Sequence, residues 1–402
     1  MRTIYSRCFF ILCMTFLTTT HCLNSQPGEN IWHLAAQIGT QLDILSSCMA
    51  TPLSGSPIII SQPGVYCLSS DLSANNITIT SSDVSLDLKG HTISNLGSSM
   101  AISIADNLSR ITIQNGFIDG SEEGVSLGLD NTDITIKNIR ITNCNKGVRC
   151  NSSAQVVIDS IEVFRFIDYG VVLFECANVL VTNCITTQDS LTGIGKGFFV
   201  SNLARLGTGI VIDNCQSNKT QWGFSVDYVS TLTLDCAVSI INCTSQDSTS
   251  YGFDFASSQI NHALVCKNCT ALACNLAGFN IECFGGFFEN CVAQSNNING
   301  FTCDNNVTTP QNCILKNCQA INNGSIGFNF ASANSGNIIQ NCTASNNATG
   351  FSGNSGSPSN VIFFFNTATS NMIDFTALGT YSGPIGLISS SKPFFGGNLH
   401  GS

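Results

Sequence analysis

Five groups of side chains in this sequence are of types that do chemistry. Glu162, Arg165, Asp168 and Glu175 make its densest charged patch, and carboxylates beside a cation can serve acid–base work. Asp213, Asp227, Asp235, Asp247 and Asp254 are scattered singly along the chain. Cys266-Lys-Asn-Cys269 has the spacing of a zinc or redox pair, with no second pair beside it. His33, His91, His262 and His400 are isolated, without the spacing of metal ligands. Phe224, Phe253, Phe279, Phe301, Phe328 and Phe351 each follow a glycine and could form a stripe for stacking sugars. A structural role is the stronger reading in every case: a solvated, salt-bridged loop for Arg165 and Asp168, core positions for both cysteines, an internal stack for the phenylalanines. No catalytic, cofactor-binding or metal-binding residue is assigned, and no cofactor is expected.

The rest of the chain must hold such groups in place. Only 10% of its 402 residues are charged, against roughly 25% in an average soluble protein. Hydrophobic residues reach 43%, too many for a disordered chain. Asn, Ser, Thr and Gly therefore supply most of the polar surface, which suits long sheets where short side chains stack without like-charge repulsion. Met1 to Cys22 has the form of a secretory signal. Arg2 and Arg7 precede an apolar run, Cys8 to Leu17, that is too short to span a bilayer. Its removal takes away two arginines and no acids, so the net charge moves from −10 to −12. A negative surface argues against nucleic acid and anionic headgroups as partners. Export, to the extracellular space, cell surface or periplasm, would ordinarily turn the cysteines into disulfides. Their spacing says otherwise.

Asn-Cys occurs nine times. Eight copies share a pattern: Asn143, Asn183, Asn214, Asn242, Asn268, Asn290, Asn317 and Asn341, each followed by Cys. The ninth, Asn312-Cys313, is out of step. From Cys215 the intervals are 28, 26, 22, 27 and 24 residues. An apolar residue stands two before each of the eight Asn, a small one two after most of the cysteines, and Gly-Phe follows the last six at eight or nine residues. Side chains on a strand alternate faces, yet Ile212 and Cys215 have opposite parity and both belong in a core. A left-handed Asn at 214 resets the parity by turning the strand sharply. Two or three short strands per repeat of about 25 residues, closed by such corners, describe a coil that stacks on its neighbours at about 4.8 Å. Corner cysteines would then be buried free thiols, because stacked, parallel Cβ vectors fit the disulfide dihedral poorly. Cys48 and Cys67, near the start, are the better bridged pair.

Ile60-Ser-Gln-Pro-Gly-Val-Tyr66, Ile77-Thr-Ile79 and Val84-Ser-Leu86-Asp87-Leu88-Lys89-Gly90-His91-Thr92-Ile93 resemble the opening coils of the pectate-lyase-like superfamily, in particular its carbohydrate-binding and sugar-hydrolysis-type β-helix repeats. The resemblance spans residues 57–375. It implies an all-β, right-handed parallel β-helix of about a dozen coils, with His91 as a structural residue. The superfamily holds lyases, hydrolases, epimerases, adhesins and inert scaffolds, so the resemblance does not carry an activity. Its lyase chemistry needs clustered carboxylates for calcium and an arginine base, and its hydrolase chemistry needs paired aspartates with a Gly-His-Gly element; neither string is present.

Residues 31–50 place Ile31, Ala35, Ile38, Leu42, Leu45 and Met49 on one seam, an amphipathic helix that would cap the first coil or join homo-oligomers. Residues 376–402 make a Gly/Ser-rich tail or cap. The whole reads as an exported β-helix that binds a polysaccharide or a surface glycan without turning it over. The alternative is a lyase, hydrolase or epimerase acting on a polysaccharide, and whether the chain is an enzyme stays open.

Overall fold

A computed structural model describes residues 50–376 except 54–56, 95–96, 98, 190–194, 202–207, 229–235, 258–261, 284, 304–311, 331–335 and 354–360, and also residues 389–390. The leader, every seam residue from Ile31 to Met49, Cys48 and most of the tail lie outside the described residues.

Alternation of Ile, Val and Leu with Thr, Ser and Asn makes each short segment a half-buried strand, as in Ile77–Ile79 and Ile134–Ile136. Every strand pairs in parallel with its equivalent one coil on, in unbroken register. Three parallel sheets result. Sheet one carries inward Ile58, Ile77, Ile102, Val125, Val148 and Val171, then Phe198, Phe224, Phe253, Phe279, Phe301, Phe328, Phe351 and Phe375. Sheet two holds Ile113, Ile136, Ile158, Val181, Ile212 and Ile240 in the same fashion. Sheet three holds Ile118, Ile141 and Val163, followed by Thr186, Ser217, Ser245 and a run of alanines from Ala271 to Ala368.

The two changes of residue type fall in one coil. Where Val171 gives way to Phe198 on sheet one, Val163 gives way to Thr186 on sheet three. The larger ring on one wall is matched by the smaller side chain on the other, so the interior stays filled at nearly constant cross-section. The phenylalanines preceded by glycine are an internal stack, as expected, with centroids 4.7–4.8 Å apart and rings within 7° of parallel from Phe198 to Phe351.

All eight corner asparagines have φ between 51° and 56°, the left-handed region. Seven of them, Asn183 to Asn341, turn the chain from sheet two to sheet three. Asn143 does not: Ile141 pairs with Ile118 and Cys144 with Ser121, so Asn143 sits at the corner from sheet three back to sheet one. Its local geometry is identical, which is why the sequence pattern grouped it with the others. Asn312, also left-handed at 58°, precedes the sheet-two strand Ile314–Lys316 and so belongs to the third corner. Outside the coil the corner amides link in series, with Asn214 donating to Asn183 at 2.7 Å and Asn290 to Asn268 at 3.1 Å.

Sixteen cysteines have described side chains, all buried free thiols, Cys67 among them. They do not make one clear ladder, because Cys144, Cys150, Cys176, Cys274 and Cys313 lie at other points of the coil. Cys266 and Cys269 are both fully buried, Cys266 replacing the aliphatic residue of sheet two. Burial pushes the Cys144 thiol up to about 12 and that of Cys274 up to about 11, which keeps both protonated and unreactive at neutral pH.

Candidate functional site

The charged patch singled out from the sequence does not assemble. Arg165 pairs with Asp189, Glu162 lies 3.9 Å from Arg140, and Glu175 accepts a hydrogen bond from Ser152 at 3.0 Å. Asp213 accepts from the corner amide of Asn242 at 2.9 Å, and Asp247 is itself a corner residue.

The outer face of sheet one brings other residues together, from strands Tyr169–Phe174, Lys196–Ser201, Trp222–Tyr228, Tyr251–Ser257 and Ala277–Glu282. Successive outward positions run Lys146, Tyr169, Lys196, Trp222 and Tyr251 in one column. The next column runs Phe199, Ser225, Asp254 and Asn280, and a third Ser201, Asp227, Ala256 and Glu282. Tyr169 and Phe199 stack with centroids 5.2 Å apart, and Phe174 meets both edge-on. The Lys196 ammonium lies 3.9 Å from the centre of the Phe199 ring and 4.9 Å from that of Trp222, and donates to Ser225 Oγ at 3.2 Å. Burial lowers its pKa from the usual lysine value, although the charges of Asp254 and Asp227 pull the other way.

Asp254 is half-buried between coils. Loss of hydration raises its carboxyl to about 6, against a hydrogen bond from Asn280 and the charge of Lys196, while Glu282 and Asp227 push it further up. Asn280 Nδ2 donates both to Asp254, at 2.8 Å, and to Glu282, at 3.2 Å, so one amide ties the two carboxylates. Such a carboxyl stabilises the folded state only while it holds its proton; that contribution is complete below its unfolded value near 3.8 and is gone above pH 6. The stability of Asp254→Asn relative to the native protein should therefore rise by about 1–2 kcal/mol between pH 4 and pH 8, allowing for water at the rim. Urea unfolding at the two pH values measures it, and a flat or falling difference refutes the assignment.

Toward the N-terminal coils the same face closes on itself. Glu123, 3% exposed, is held by Lys146 at 3.1 Å and Arg149 at 3.0 Å. Burial works to raise its carboxyl, but the hydrogen bonds of Ser126 and Lys146 and the charge of Arg149 hold it below the usual range. Among the described residues no three His, Cys, Asp or Glu side chains converge on a metal-sized site.

Asp227 and Asp254 look scattered in sequence because the carboxylates lie a coil apart rather than side by side. The Gly-Phe register contains the signal. The residue after each phenylalanine faces outward, which lines up Ser225, Asp254 and Asn280, and the position two further on lines up Asp227 with Glu282.

These sheets and this face define a class, the parallel β-helix with a surface built across coils. Residues 63–237 match the family model of the right handed beta helix region, and the molecule is a right-handed parallel β-helix, as the opening coils implied. Among solved structures it is similar to an exopolygalacturonase from Thermotoga maritima, at 11% identity over 87% of this chain and 86% of that one, with a TM-score of 0.40. An α-1,3-glucanase catalytic unit from Streptomyces thermodiastaticus gives 12% identity, 81% and 64% coverage and a TM-score of 0.49. The N-terminal fragment of bacteriophage Phi29 gene product 12 gives 13%, 89% and 73%, and 0.48. No curated protein matches the chain significantly.

Proposed function

We propose that the protein is an exported β-helix that binds a polysaccharide along the outer face of sheet one, centred on Lys196, Trp222 and Asp254. The observation that carries this reading is the run of partly exposed aromatic and polar groups across five stacked strands. Tyr169 and Trp222, each partly exposed, present π-surfaces to the C–H faces of sugar rings, with the buried Phe199 stacked against Tyr169. Lys196, Asp254 and Glu282 present donors and acceptors to hydroxyls, held in place by the buried Ser225 and Asn280. Four coil steps of about 4.8 Å give a footprint of about 19 Å, long enough for several sugar units. Trp222→Ala should weaken binding to the preferred polysaccharide at least tenfold in affinity electrophoresis over a panel of neutral and acidic glycans. Unchanged mobility shifts would overturn the reading.

A second reading is favoured by one specific observation, the Asp254 carboxyl raised to about 6 beside Asp227 and Glu282. A carboxylic acid that keeps its proton in mildly acidic solution, up to about pH 6, next to further carboxylates, is the pairing that glycoside cleavage uses. Reducing-end release by the native protein, abolished in Asp254→Asn with binding retained, would establish it. Absence of product on every glycan that binds leaves a pure binding protein.

A further inference from the structure

On the opposite side of the coil from the phenylalanine stack, Gly90, Asn115, Gly116, Phe117, Asn138, Ile139, Arg140, Ser160 and Glu162 surround an open depression of about 420 Å³, within the size range of small-ligand sites. Its origin is a local break in the corner. Asn115 and Asn138 are joined by an amide hydrogen bond of 3.3 Å, and Asn214 is joined to Asn183, but Ser160 stands between Asn138 and Asn183. Its hydroxyl turns to Asp159 at 3.0 Å. Gly116 fills the place of the corner cysteine, where a Cβ would collide with Leu88, and Gly90 has open space where its side chain would be.

Phe117, Arg140 and Glu162 follow one another on the outward side of sheet three. Phe117 is 45% exposed, unlike the rings of the core. Arg110, Arg149 and Arg165 each donate hydrogen bonds to a carboxylate. Arg140 makes none among the described residues. Its guanidinium lies over the Phe164 ring at 4.7 Å and 3.9 Å from Glu162, close enough to be held but too far to be satisfied. A guanidinium with no hydrogen bond among the described residues thus lines the depression beside a carboxylate that accepts, with an aromatic ring one rung away.

We propose that this depression is a second sugar-binding site, for an uncharged hexose unit. Phe117 stacks on the apolar face of the ring, and Arg140 and Glu162 clamp neighbouring hydroxyls, one donating and one accepting. The Arg140–Glu162 pair carries no net charge, so the site offers no net attraction to a uronate or phosphate and suits a neutral ring. The proposal rests on the reading of the chain as a glycan binder, but on residues that the sheet-one site does not use.

Titration calorimetry of the full chain with cellohexaose, laminarihexaose and maltohexaose tests it, with Phe117→Ala, Arg140→Gln and Trp222→Ala as variants. Phe117 and Arg140 are exposed and Trp222 is half-buried, and circular dichroism checks the fold of each variant. The expected result is at least a tenfold loss of affinity for one hexasaccharide in both Phe117→Ala and Arg140→Gln. If Phe117→Ala binds every hexasaccharide as the native protein does, or if the native protein binds none, the inference falls. Loss in Trp222→Ala alone leaves only the sheet-one site. Loss in Phe117→Ala and Arg140→Gln without loss in Trp222→Ala upholds this site and removes the other.

Discussion

Phe279→Ala should lower the unfolding free energy by about 4–6 kcal/mol, measured by urea denaturation. Truncating a buried phenylalanine costs about 3–5 kcal/mol through lost transfer energy and the cavity left behind. Phe279 is fully buried and lies 4.7 Å from both Phe253 and Phe301, nearly parallel to each, so two ring contacts go with it. The same change at Phe117, nearly half exposed, should cost under about 1 kcal/mol. Equal losses at the two sites would mean that the stack contributes nothing beyond an ordinary surface ring.

The second large effect concerns the glycine before the phenylalanine. A Cβ on Gly278 would meet Ala293 Cβ, Asn296 Nδ2 and the carbonyl oxygen of Gly300, each at 2.9 Å. Two of those three atoms cannot swing aside, one being the backbone of the next coil and the other the side chain's first carbon. Gly278→Ala should therefore destabilise by about 2–3 kcal/mol through overpacking. Gly209 has nothing within 4 Å of its would-be Cβ, so Gly209→Ala, also on a strand, is the control and should be neutral or slightly stabilising. Similar outcomes for the two would show that the coils can part at no cost.

That packing also explains what could be read from the sequence. The small residue two positions after each cysteine, the glycine, and the phenylalanine are one feature seen three times. Ala271 faces Gly252, Ala293 faces Gly278 and Ala320 faces Gly300 across the interior, and the ring beside each glycine fills the other end. Periodicity of this kind is written in the chain because every coil repeats the same steric problem. The corner asparagines were legible for the same reason, although Asn143 shows the limit. Local pattern identifies a left-handed turn but not which of three corners it makes. The site was harder to see. Lys196, Asp254 and Glu282 come from different coils and have no recurring spacing, so they emerge only once the phenylalanine register is used to ask which outward positions stack. Arg140 gave no signal at all, since an arginine's unmet hydrogen bonds are a property of its surroundings.

The constant cross-section from Phe198 onward bears on lineage. Gln319 pairs with Thr343 one coil later, and Ala320 with Ala344. Excision of the 24 residues 319–342 would bring Ala344 to the place of Ala320, Phe351 to that of Phe328 and Phe363 to that of Ile339, with no interior face left unmatched. Each such coil meets the one above as it meets the one below, so a gene can gain or lose whole coils by in-frame duplication or deletion without designing a new core. Length in the aromatic half is thus a heritable quantity that changes in steps of one coil, and the binding faces it displays are free to lengthen with it.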